Sequence, residues 1–71
     1  MLIIPLDKLC APKNRGKYCI ITHREIIGIY NTSQEAFDAP TRGITLTFQI
    51  GSVDEVKRIL NSRGFEFYDK S

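Results

Sequence analysis

Seventy-one residues make one domain at most, since domains usually run about 100–150 residues, and a chain 42% hydrophobic and 25% charged is globular rather than disordered. No apolar run approaches the roughly 18 residues that span a bilayer, and Leu2-Ile3-Ile4-Pro5-Leu6 is too short, and lacks the basic lead-in, for a signal peptide. The net charge of +2 hides an uneven distribution: Lys8, Lys13, Arg15, Lys17 and Arg24 follow one another without an acid, so residues 8–24 carry +5 and the remainder −3.

Taken in chain order, Leu2–Leu6 is apolar and β-branched and predicts a short strand that Pro5 ends or confines to a sheet edge. Asp7–Gly16, with Pro12, Asn14 and Gly16, predicts a loop. Tyr18–Thr22 and Glu25–Tyr30 predict two strands joined as a hairpin through His23 and Arg24. Asn31–Gly43 is a long polar connection in which Ser33–Phe37 can form one helical turn.

Ile44, Leu46, Phe48 and Ile50 alternate with Thr45, Thr47 and Gln49, a period of two that predicts a strand with one apolar and one polar face. Ser52 followed three residues later by Glu55 is a capping box. The helix it opens carries Val53, Val56, Ile59 and Leu60 on one stripe, and Gly64 stops it. Phe65–Tyr68 alternates again as a closing strand.

These elements predict a single α+β domain over residues 1–71. A mostly antiparallel sheet, with elements in the order βββ-β-α-β, is covered on one face by a single amphipathic helix. Ile44, Leu46, Phe48 and Ile50 are expected against that helix. The other face then presents Thr45, Thr47 and Gln49, which are neutral and hydrogen-bonding and suit solvent, a ligand or a partner.

Chemical motifs are sparse. One histidine and two cysteines nine residues apart offer no metal-ligand spacing, so no metal is expected. Cys19 reads as a small buried hydrophobe. Cys10 reads as an unreactive loop thiol; the alternative is a thiol whose pKa is lowered by its place between Lys8 and Lys13. Two cysteines are too few for a disulfide framework, and the expectation is a cytoplasmic protein with reduced thiols. Phosphate-cradling glycine motifs are absent, and the basic stretch lacks the interleaved aromatics of a nucleic-acid platform. No catalytic residues, cofactor or nucleic-acid partner are therefore assigned, and His23 and Arg24 read as surface residues of the hairpin tip.

Gly43-Ile44-Thr45-Leu46-Thr47-Phe48-Gln49-Ile50-Gly51-Ser52-Val53-Asp54-Glu55-Val56, with Leu60 and Arg63-Gly64-Phe65-Glu66-Phe67 following, resembles the opening of the second module in vicinal-oxygen-chelate proteins. These are the relatives of glyoxalases, bleomycin-resistance proteins and extradiol dioxygenases. Gly16–Ile21 and Ile26–Tyr30 resemble the later strands of the first module. The resemblance covers residues 17–68, about half of a two-module domain. It implies paired βαβββ modules whose curved sheets enclose a cavity, with ligand groups on the inner face. Metal-using relatives often place a histidine where this chain has Thr45, or Thr47 if the register shifts by one pair. Neither threonine is a good divalent-metal ligand.

An enzyme assembled across a dimer, which predicts bound metal, stays open as a third class; two binding functions follow as the leading expectations. One is a non-enzymatic, half-size ligand-binding domain acting as a homodimer or higher oligomer, with Thr45, Thr47 and Gln49 hydrogen-bonding a small molecule and Tyr30 and Arg24 stacking and contacting an anion. The other is a small regulator or inhibitor that docks on a larger protein through its sheet edge or through the basic loop with Lys13, Arg15 and Lys17.

Overall fold

A computed structural model describes residues 2–41 and 43–69. The elements are β1 (Leu2–Ile4), α1 (Leu6–Leu9), a 3₁₀ turn (Pro12–Asn14), β2 (Tyr18–Ile21), β3 (Ile26–Tyr30), α2 (Ser33–Asp38), β4 (Leu46–Gln49), α3 (Val53–Ser62) and β5 (Phe67–Asp69). Pro5 ends β1, as its missing N–H requires. The stretch expected to be plain loop instead holds α1 and the 3₁₀ turn, because Leu6, Leu9 and Cys10 have a core to enter.

Two sheets form. The order β3-β2-β4 makes a three-stranded antiparallel sheet, and β1 and β5 form a separate parallel pair. The β2–β3 hairpin turns on Thr22, whose Oγ1 accepts the N–H groups of Arg24 and Glu25 at 3.2 and 3.1 Å. Ile20 lies opposite Gly28 while Ile21 lies opposite Ile26, so Ile27 is the extra residue of a β-bulge.

The capping box forms as its spacing dictates: Ser52 Oγ accepts the Glu55 N–H at 3.2 Å. At the other end, Gly64 at φ +75° admits a left-handed cap, with Gly64 N–H donating to Asn61 O and Phe65 N–H to Leu60 O. That bonding is a Schellman motif, and it turns Phe65 back onto the helix it follows. Val56 and Leu60 are fully buried, with Val53 and Ile59 packed beside them.

The main core lies on one face of the three-stranded sheet. Cys19, Ile21, Leu46, Phe48 and Ile50 meet Val56 and Leu60 of α3, Leu6 and Leu9 of α1, Ile4 of β1, and Phe65. Ile44 is a correction to the sequence reading: it precedes β4 and is 74% exposed, away from α3.

The second face is also covered. Ile20, between Cys19 and Ile21, points to the side opposite the main core, yet it is only 1% exposed and is not part of that core. α2 packs on β2 and β3 and buries Ala36. Ile20 and Ala36 thus form a small second core, and the single-helix, one-sided cover expected from the sequence is replaced by helices on both faces. The coarse reading, a small mixed α/β domain with an antiparallel sheet, holds.

Candidate functional site

The residues nominated on the polar face fall into two groups. Register puts Tyr30 beside Tyr18 and Tyr18 beside Gln49, a row across one end of the sheet. The opposite end is the row Ile26, Ile21 and Leu46, three residues and about 10 Å away. Arg24, in the hairpin turn, and Thr45, just before Leu46, belong to that far end. Thr47 lies between, opposite the buried Ile20. Tyr30 and Gln49 therefore share an end of the sheet, and Arg24 is not brought to them.

At the near end, exposed Gln49 donates from Nε2 to Gly16 O at 3.1 Å. The ladder continues past β2 there, Gly16 N–H donating to Ile50 O and Ile50 N–H to Lys17 O. Tyr30 lies back along its own strand over Gly28: a Cβ on Gly28 would stand 2.9 Å from Tyr30 Oη. Glycine at 28 is what leaves room for the ring.

The basic loop gives a more defined feature. Leu6, Leu9 and Cys10 anchor it in the core. Asn14 Nδ2 donates to Lys8 O at 3.1 Å, and Arg15 Nε donates to Cys10 O at 3.3 Å. So braced, the loop lies beside β3, the edge strand of the three-stranded sheet, and borders an open groove of about 230 Å³. Pro5, Leu9, Ile26 and Ile29 supply its apolar wall, and the exposed Lys8 and Lys13 stand at its margin together with Asn14. Of the three cations nominated for a partner, Lys13 lines the groove. Arg15 braces the loop, and Lys17 is half-buried at the end of the ladder.

Sequence reasoning missed Lys8, Leu9, Ile26 and Ile29 as lining. Their common location depends on how the loop packs on β3; the available hint was Lys8 and Lys13 lying on either side of the apolar Leu9 and Cys10 in the sequence.

Neither thiol is activated. Burial pushes the Cys10 thiol above its usual range, with Arg15 opposing and Asp7 adding to the rise. The lowering of the Cys10 pKa that neighbouring cations could produce does not arise, since desolvation outweighs the nearby charge. Burial raises Cys19 further, to about 12. His23 is exposed on one side and on the other stacks on Phe65, ring centroids 4.2 Å apart. Among the described residues no group of three or more His, Cys, Asp or Glu side chains is placed to hold a metal, and no helix is long and apolar enough to cross a membrane.

No family model matches the chain, and no curated protein and no solved structure is detectably similar to it.

Proposed function

We propose that this protein is a non-enzymatic docking domain that binds an acidic, apolar protein segment in the groove between its basic loop and β3. The observation that carries this reading is the apolar wall of Pro5, Leu9, Ile26 and Ile29 with Lys8 and Lys13 at its margin. Apolar contact supplies affinity, and the two ammonium groups select for carboxylates and speed encounter. The groove lies against an open sheet edge, where an extended segment gains main-chain hydrogen bonds as well. Two free, buried thiols accord with the reducing setting of the cytoplasm.

Fluorescence anisotropy with two labelled peptides tests it, one combining Phe with Glu and the other Phe with Lys. The acidic peptide binds, more weakly as salt rises, and the double variant Lys8→Glu/Lys13→Glu weakens it at least several-fold. Equal binding of both peptides, or indifference to the double variant, overturns the reading.

A second reading keeps the vicinal-oxygen-chelate resemblance, as a half-size dimer holding a small ligand on the polar sheet face. Exposed Thr47 and Gln49 on the same face as Tyr30 support it. Native mass spectrometry of freshly purified protein then finds a bound small molecule that Thr47→Leu/Gln49→Leu removes. A ligand indifferent to those changes, or protein carrying none, removes this reading.

A further inference from the structure

We infer that the groove's occupant is a second copy of this chain, which inserts Phe37 of its own α2. This rests on the reading of the groove as a dock for acidic, apolar segments. Phe37 is 87% exposed, more than any other large hydrophobic side chain among the described residues.

It is also firmly presented. Thr32 Oγ1 accepts the Glu35 N–H at 3.1 Å, and the Glu35 carboxylate accepts the Asn31 N–H at 3.2 Å. Ala36 takes the inward position of the helix, so its neighbour Phe37 projects outward. A ring held on a braced helix loses little conformational freedom on binding, and aromatic side chains dominate small interfaces for that reason.

The charges match. Asn31–Thr41 contains Glu35 and Asp38, both exposed, and no Lys or Arg. The groove has Lys8 and Lys13 within a stretch that has no acid. The ring meets Leu9, Ile26 and Ile29 while Asp38, next to it in the chain, meets the lysines.

A single chain cannot make this contact. α2 covers the Ile20 side of the sheet, whereas Leu9 and Ile26 belong to the main core on the other side. The contact therefore joins unlike surfaces of two copies. Reciprocal exchange closes a twofold dimer, and one-way exchange extends further. Either way the area is small and the association weak and salt-sensitive.

Light scattering over a wide concentration range tests the inference by complementation. Wild type rises to at least twice the single-chain mass, while Phe37→Ala and Lys8→Glu/Lys13→Glu each stay monomeric. An equimolar mixture of the two variants associates more than either alone, and less than wild type where the exchange is reciprocal, because the groove of one and the ring of the other form a single intact contact. All three side chains are exposed, and circular dichroism checks that the variants fold. A wild type that is monomeric throughout, variants that associate like wild type, or a mixture no more associated than its separate variants overturns it. If wild type is monomeric while the acidic peptide still binds, self-docking fails and the groove reading stands; if the peptide also fails to bind, both fall.

Discussion

The imidazole of His23 lies flat on the ring of Phe65, centroids 4.2 Å apart and planes within 9°. The two belong to distant parts of the chain. Thr22 shapes the hairpin turn that presents His23, and the Schellman motif at Gly64 positions Phe65. The stack thus ties the hairpin tip to the end of α3 and shields the exposed margin of a buried phenylalanine.

Its removal is expected to be measurable. In a double-mutant cycle of His23→Ala and Phe65→Leu, followed by urea unfolding, the coupling is about 0.5–1.5 kcal/mol. Leucine keeps most of the buried volume and loses the flat face. Additive effects of the two substitutions rule out a stabilising stack.

Cys19 links the core to pH. Its thiol has a folded-state pKa of about 12 against an ordinary 9.0. Above pH 9 the unfolded chain gives up this proton while the folded chain keeps it, so ionisation favours unfolding. The stabilisation is fully present below pH 9 and is lost progressively up to about 12. The slope attributable to this group is at most about 1.4 kcal/mol per pH unit. Urea midpoints measured from pH 8 upward fall more steeply for wild type than for Cys19→Val, and parallel curves contradict the assignment. At neutral pH, iodoacetamide labels Cys19 only after denaturation.

The two ends of α3 predict different penalties. Ser52→Ala leaves the Glu55 N–H without its acceptor and costs about 1 kcal/mol. Gly64→Ala forces a Cβ into φ +75° and costs about 1–2 kcal/mol. Ser52→Gly, which keeps the extended cap backbone accessible, costs only a few tenths. Chemical denaturation orders the three, and Ser52→Gly as damaging as Gly64→Ala contradicts the cap assignment.

The second core under α2 carries its own prediction. Ile20→Ala removes a fully buried side chain and costs about 2–5 kcal/mol, as a core position does. Thr47→Ala, opposite it in register and exposed, stays within about 0.5 kcal/mol. An Ile20→Ala effect as small as that of Thr47→Ala would mean that α2 does not cover this face.

Much of the secondary structure was legible because its causes are local. Alternation from Leu46 to Gln49 sets β4, Ser52 with Glu55 opens α3, and Gly64 closes it. Each signal acts within a few residues and needs no knowledge of the rest of the chain. The candidate site was legible only in part. Lys13 was nominated for its charge, but Lys8, Leu9, Ile26 and Ile29 join it only through the packing of the loop on β3.

The amino-acid sequence by itself determined the hairpin, the alternating strand, the capped helix and the concentration of positive charge before residue 25. Tertiary structure alone decided that β1 pairs parallel with β5 from the far end of the chain, and that α2 buries Ile20 on the face expected to stay open. It also decided that Cys10 is buried rather than activated. The physical reason is common to all three. Pairing, burial and desolvation depend on which distant segments meet, and no periodicity or cap within a segment encodes its neighbour.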